Sequence, residues 1–432
     1  MPEKPVLQVA LDLMHLKRVM KIAEESVEGG VDWLEAGTPL IKSEGMDSVR
    51  KLKKAFPGKK IVADMKTMDT GTYEVEIASK AGADIVVVMA QADDSTIKES
   101  VKAGRRYGTE IMADLIGVEK KAKRAKEVQE MGVDYLCVHV SIDEQMSGRD
   151  PLSELKEVAE VARIPIAVAG GLNSETGPMA LKAGASIIIV GGAIIKAAKV
   201  TDAARTIRKA IDKGKAVKTD LYRKYKEEEL HEVLSKVSTP NIADAMQKRG
   251  VLEGIVPRIN HGTKMVGRAL TVKTANGDWA KPIEAIEKAK KGEVIVVDVG
   301  GGNIAIWGEL ASHSCKQKGI SGVVIDGAAR DIDEILEIDF PVFSRHVVPR
   351  AGEPKGHGEI GCEIEVGGKL VRTGDWIVGD ESGVVVIAQE EAVEMANRAL
   401  DVYERENRIR EEIKRGKTLS DVLEIEKWET VD

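Results

Sequence analysis

Aromatic side chains make up only 3% of this 432-residue chain, and cysteine is scarcer still, with three. Cys137, Cys315 and Cys362 lie far apart. That spacing offers neither a disulfide framework nor a zinc-type pair of thiols, and it predicts a reducing, cytoplasmic setting. Long apolar stretches are missing too: "ASIIIVGGAII" falls short of the roughly 20 residues a membrane-spanning helix needs. The opening "MPEKPVLQVALDL" has no basic region followed by a long apolar run, so no leader peptide is expected. An excess of positive charge is also absent. Lys and Arg total 64 against 71 Asp and Glu, a formal charge of −7, which argues against a general nucleic-acid-binding surface.

Hydrophobic residues, at 43%, and charged residues, at 31%, describe a soluble globular chain. Its length predicts two domains. Eight short apolar runs follow one another in the first half: 5–12, 31–37, 59–66, 83–90, 109–117, 133–140, 164–171 and 185–192. Stretches with apolar residues at three- and four-residue spacing, such as "MHLKRVMKIAEESVEGG", lie between them and often close on glycine. The runs are continuous rather than alternating, as in strands covered on both faces. Eight such units predict an α/β chain whose residues 1–212 form a (β/α)8 TIM barrel. The open doubly wound sheet is the alternative, but no G-x-G-x-x-G follows the first run.

A barrel of this kind carries its chemistry at the C-terminal ends of its strands, and the charges gather there. Asp12, Glu35, Asp64, Lys66, Asp114 and His139 each stand at the end of a run, with Asp69 in the loop after the third. Asp64 and Lys66 are two apart on a strand, so they share a face and Met65 points away. The last two runs end in "AGG" and "VGG"; Gly170, Gly171, Gly191 and Gly192 present bare backbone amides suited to a phosphate group. A phosphorylated substrate is expected.

The pattern D-x-K-x-x-D, met by Asp64, Lys66 and Asp69, resembles that of the orotidine monophosphate decarboxylase superfamily. Within it, "LQVALD", "EAGTPLIKSEG", "ADMKTMDTG", "HVSIDEQMSG", "AVAGG" and "IVGGAI" look most like the 3-hexulose-6-phosphate synthases. The resemblance implies an aldol reaction joining formaldehyde to D-ribulose 5-phosphate. It also implies Mg2+ (or Mn2+) on Glu35 and Asp64, and catalytic roles for Asp12, Lys66, Asp69 and His139, with Lys66 held between Asp64 and Asp69. A related decarboxylase family, acting on 3-keto-L-gulonate 6-phosphate, carries "H-R" after the sixth strand. Here the pair is His139 and Val140, which favours the synthase reading.

Residues 213–234, "KGKAVKTDLYRKYKEEELHE" onward, are dense in charge and read as a linker or exposed helix. At 235–390 a mixed α/β domain is expected, opened by a helix capped at Ser238 or Thr239 with Pro240 in its first turn. Residues 391–432 read as a helical tail. Within the domain, Glu309 stands in "GELA", and twenty residues separate it from Arg330 and the adjoining Asp331. Arg supplies a planar fork for a carboxylate and the acids are hard oxygen ligands. The segment resembles the class II aldolases related to 4-hydroxy-4-methyl-2-oxoglutarate aldolase, a family that includes ribonuclease-activity regulators. The resemblance implies metal on Glu309 and Asp331 and a small 2-oxo acid on Arg330. Members of both families commonly assemble, so a homo-oligomer is expected.

Overall fold

A computed structural model describes residues 4–148 and 151–423; the last nine residues of the expected tail lie outside that range. The chain divides into two compact units, one of residues up to Lys224 together with those from Glu404 onward, the other Tyr225–Tyr403. Among the described residues, no helix is long and apolar enough to cross a membrane.

Eight parallel strands close the first unit into a barrel in chain order: β1 Val6–Leu11, β2 Trp33–Ala36, β3 Lys60–Thr67, β4 Ile85–Met89, β5 Glu110–Asp114, β6 Tyr135–His139, β7 Ile166–Ala169 and β8 Ile187–Val190. Each lies inside one of the expected runs except β3, which extends one residue past its run to Thr67. Strand parity sorts the side chains. Leu7, Val9 and Leu11 join the large core between sheet and helices, whereas Val6 and Ala10 face the barrel interior with Val62, Met112, Tyr135 and Cys137. The same parity carries Asp12, Asp64, Asp114 and His139 to the interior at the upper ends of β1, β3, β5 and β6. The lower end is plugged by Trp33 and Tyr135, edge to face at 5.7 Å, with the Lys60 ammonium over both rings.

The second unit is built on a nine-stranded sheet. Its strands are β9 Val256–Arg258, β10 Met265–Lys273, β11 Val294–Asp298, β12 Ala305–Trp307, β13 Gly322–Ala329, β14 Val342–Val347, β15 Glu359–Ile360, β18 Trp376–Asp380 and β19 Gly383–Ile387; β16 Ile364–Val366 and β17 Lys369–Val371 pair separately. β10, β11, β13 and β14 are parallel, and β18, β19 and β9 run antiparallel to their neighbours. The opening helix Thr239–Ala245 has Ser238 as its cap, whose hydroxyl accepts from the Asn241 N–H.

Three features depart from the sequence expectation. β10, central to the sheet, is not marked as a strand in the sequence, because Gly267 and Arg268 break its apolar run. The charged stretch 213–234 does not hang free: Tyr222 is buried in the barrel unit's core, and Leu230, Val233 and Leu234 are buried in the second unit's. The tail is not a body of its own either. Helix Ala392–Lys414 contributes Ala392, Ala396 and Leu400 to the second core, while the chain from Glu404 onward belongs with the barrel unit.

Candidate active site

The barrel holds a cavity of about 270 Å³ at the C-terminal ends of its strands. β3 slips register against β4 between Ala63 and Thr67, and inside that irregularity Lys66 takes φ +50. A side-chain-bearing residue held in the left-handed region costs on the order of 1–3 kcal/mol and persists where the surroundings fix it. Here they do. Lys66 Nζ lies 2.9 Å from Asp64 Oδ2 and 2.8 Å from Asp114 Oδ2, and His139 Nδ1 lies 2.9 Å from that same Asp114 oxygen. Thr38 donates to Asp64 at 2.9 Å, and the Ile116 N–H to Asp114 at 2.9 Å.

One expectation is corrected. Lys66 is held between Asp64 and Asp114, not between Asp64 and Asp69. Asp69 stands exposed on the loop, where its carboxylate accepts from the Thr70 N–H at 2.6 Å. Its offset of three from Lys66 carries it past the strand end, while Asp114 reaches Lys66 across the interior from β5.

Burial alone would raise the Asp114 carboxyl, but the charges and hydrogen bonds of His139 and Lys66 hold it well below the ordinary range. Burial would likewise lower the Lys66 ammonium, and Asp64 and Asp114 outweigh it and push it up. Among the described residues Glu35 has no such cation in contact. Burial, then Asp64 and Asp12, push its carboxyl well up, with Lys66 and Gln8 opposing. Asp12 is raised for the same reasons, burial first and Asp64 second. Gln8 Nε2 donates to Glu35 at 2.5 Å, while Gln8 Oε1 is buried without a partner among the described residues. Asp12 fits beneath Gly37, where a Cβ would come 2.1 Å from its Oδ1.

The site therefore has two halves. Around Lys66 and His139 the charges are matched; around Glu35, Asp12 and Asp64 there are more hard oxygens than cations. Asp114, Cys137 and His139 also bring ligand atoms within 4.8 Å of one another. Asp114 is already engaged there, and burial, then Asp114, push the Cys137 thiol well up. The four glycines line the cavity, Gly170 at φ +116 and Gly171 at φ +69. Val140 does not; it is buried, with its carbonyl 2.8 Å from where a Gly170 Cβ would sit.

In the second unit a cavity of about 560 Å³ is lined by Trp279, Trp307, Glu309, Arg330 and Asp331. Glu309 opens helix Glu309–Lys318 behind Gly308, where a Cβ would come 2.4 Å from Asp331 Oδ2. Asp331, at φ +56, accepts the Glu309 N–H at 3.4 Å and lies 3.4 Å from Arg330 Nε. The three residues converge, but the Glu309 amide of "GELA" is already directed at Asp331.

The orotidine 5'-phosphate decarboxylase / HUMPS family model matches residues 5–207, and an RraA-like model, aldolase/RraA, matches residues 239–386. The 3-hexulose-6-phosphate synthase of Mycobacterium gastri is 45% identical over 205 residues, which are 48% of this chain and 99% of that protein. The chain belongs to the orotidine 5'-phosphate decarboxylase / HUMPS family. The Bacillus subtilis (strain 168) synthase is 39% identical over 209 residues, 48% of this chain and 99% of its own. A solved 3-hexulose-6-phosphate synthase, 44% identical, covers 48% of this chain and 99% of its own with a TM-score of 0.46. The HUMPS-family barrel makes the chain a lyase, and an RraA-like domain is fused behind it.

Sequence reasoning leaves several residues of the barrel site unassigned: Gln8, Thr38, Gln145 and Tyr222. Gln8 carries a signal, being a polar residue within an apolar strand at even spacing from Asp12. Tyr222 carries none, since it lies in the charged stretch after the barrel.

Proposed function

We propose that the barrel interconverts D-ribulose 5-phosphate plus formaldehyde with D-arabino-3-hexulose 6-phosphate, using a divalent cation. The observation that carries this reading is the pairing of the matched Lys66–Asp114–His139 cluster with the cation-poor acids Glu35, Asp12 and Asp64, on a chain whose relatives are named for that synthase. The fit to magnesium or manganese rests on that excess of buried hard oxygens and on the orphaned Gln8 Oε1. Glu35 and Asp64 would hold the ion, which when bound supplies Lewis-acid polarisation of the sugar's C2 carbonyl.

The chain's own groups do the rest. Asp114 stays ionised and can only accept, so in the uncharged form of the His139 ring the hydrogen belongs on Nδ1 and the lone pair on Nε2. That nitrogen takes the C1 proton of ribulose 5-phosphate. The electron pair left on C1 attacks the formaldehyde carbon, and the new alkoxide receives a proton. Lys66, kept charged by two acids, faces the negative charge that develops on the sugar oxygens. Asp12, whose carboxyl is raised, can hold a proton beside the same oxygens. The amides at Gly170, Gly171, Gly191 and Gly192 receive the phosphate.

Purified full-length protein should consume ribulose 5-phosphate only with formaldehyde present, and EDTA should abolish this. Release of carbon dioxide from 3-keto-L-gulonate 6-phosphate instead would assign the same acids and lysine to decarboxylation. For the RraA-like domain we propose a metal-dependent site for a small 2-oxo acid, with Arg330 on the carboxylate and Glu309 and Asp331 toward the ion. Its support is the cradle at Gly308, which leaves room for the Asp331 carboxylate beside the start of the helix. Calorimetry with oxalate and magnesium should show binding that Arg330→Ala removes. A domain that binds no oxalate would instead be a regulatory module.

A further inference from the structure

The barrel family's match ends at residue 207, yet the cavity wall does not. Residues 217–224 run across the loops that follow β6, β7 and β8. Behind β7, Val217 exchanges two hydrogen bonds with Ser174: its N–H to the Ser174 carbonyl at 3.0 Å and its carbonyl from the Ser174 hydroxyl at 2.7 Å. The Thr219 N–H goes to Glu175 at 2.8 Å, and Asn173 donates to the Leu221 carbonyl at 3.5 Å. Lys224 Nζ reaches Met146, on the short helix after β6, at 3.6 Å. Asn173 and Ser174 are buried, so these are built contacts and not a loop resting on a surface.

Tyr222 is the centre of this segment. It lines the cavity and is 7% exposed. Its backbone takes φ +54, a strained value that its surroundings must hold, and its N–H is fixed at 2.8 Å by the buried Glu404 carboxylate. The ring lies directly on Gly192, the second glycine of the pair after β8: a Cβ there would come 2.2 Å from Tyr222 Cε2. Two ammonium groups flank the ring, Lys224 at 4.1 Å and Lys196 at 5.0 Å from its centroid. Lys196 is also near enough to Asp12 to act on its carboxyl by charge.

We propose that residues 217–224 are a fixed strap over the phosphate end of the cavity, and that Tyr222, Lys196 and Lys224 complete the site for the sugar's phosphate group. The glycine amides supply short directional donors but no net charge. A phosphate dianion is better matched when full cations stand nearby in a place from which water is excluded. The Tyr222 ring provides both conditions, closing the wall and holding the two ammonium groups through cation–π attraction. The strap lies outside the region shared with the barrel family, so the fused chain finishes its substrate site with its own segment.

This inference rests on the reading of the barrel as acting on a sugar phosphate. Its test is calorimetry of the full chain with D-ribulose 5-phosphate and with inorganic phosphate, magnesium present, alongside steady-state kinetics. Tyr222→Ala and, separately, Lys224→Ala should weaken binding of both ligands roughly tenfold, the size of one lost charge-assisted contact. KM should rise in step while kcat stays within about threefold, and Tyr222→Phe should restore the wild-type constants. Should Tyr222→Ala fail to fold, Lys224→Ala carries the test. Wild-type turnover with unchanged KM and binding in the variants would overturn the strap alone. A wild-type chain that binds neither ligand would overturn the sugar-phosphate reading and the strap with it.

Discussion

The two candidate sites use the same residue types in opposite surroundings. In the barrel, Asp114 and Asp64 keep side-chain exposures of 2% and 9%, with Lys66 at 24% between them. In the RraA-like domain, Arg330 and Asp331 are exposed to 43% and 33%, and their contact is long at 3.4 Å. A closed barrel converges the ends of many strands on one interior, so its charges must be matched or they cost heavily. The second site draws its residues from the end of one strand and the start of one helix, beside water. The barrel cluster is thus part of the fold's stability, and the second set of charges is laid on a fold that stands without it.

The sharpest way to break that contrast is to remove one cation from each. Lys66→Ala leaves Asp64 and Asp114 buried and facing each other without their shared partner. Loss of a partner from a buried pair costs roughly 3 kcal/mol, and loss of preorganised charge should cut turnover at least about a hundredfold. Arg330→Ala, on a half-exposed side chain, should leave stability within about 0.5 kcal/mol of wild type. Thermal melts and turnover of both variants check this. Equal stability loss in the two would erase the distinction.

A smaller effect follows from Asp114 and acid. The groups facing its carboxylate are His139, Lys66 and the Ile116 N–H. Since its folded carboxyl lies below the ordinary 3.8, the unfolded chain takes up the proton first as pH falls. The stability it contributes is therefore intact above about pH 4 and drains below that value. Asp114→Asn should be less stable near neutrality and should lose less between about pH 5 and pH 3. Denaturant titrations at a few pH values would show it, and parallel curves for variant and wild type would refute it.

The contrast also explains how much of each site is legible in the sequence. Strands buried on both faces are written as unbroken apolar runs, and a residue breaking such a run at the upper end is either wrong for the fold or used by it. Hence Asp12, Glu35, Asp64, Lys66, Asp114 and His139 stand out together. Long-range geometry is what stays hidden. Nothing local distinguishes Asp69, three residues from Lys66, from Asp114, forty-eight residues away; only closure of the barrel makes the second the neighbour. β10 is hidden for a related reason. Its Gly267 packs against the Gly292 carbonyl, where a Cβ would come within 2.3 Å, so a residue that looks like a strand breaker is demanded by the adjacent chain. Tyr222 is masked by the charged residues around it, whose role is decided by three loops distant in sequence.

The two units each carry a buried cysteine, and this sharpens the comparison without altering either site. Burial and, behind it, Asp114 push the Cys137 thiol well up in the barrel, and burial pushes the Cys315 thiol up to about 12 in the second unit. Both should resist alkylation in the native chain, since the thiolate is the reactive form; Cys362 is less buried and should react first. Labelling of Cys137 and Cys315 at raised temperature then reports opening of each unit separately. Ligands that bind only the folded form slow that opening. Ribulose 5-phosphate with magnesium should slow Cys137 labelling and leave Cys315 unchanged, while oxalate with magnesium should do the reverse. The readout is the modified fraction of each cysteine-bearing peptide over time by mass spectrometry. Protection of both cysteines by either ligand would show that the two sites share one opening event, and the separation drawn between them would have to be given up.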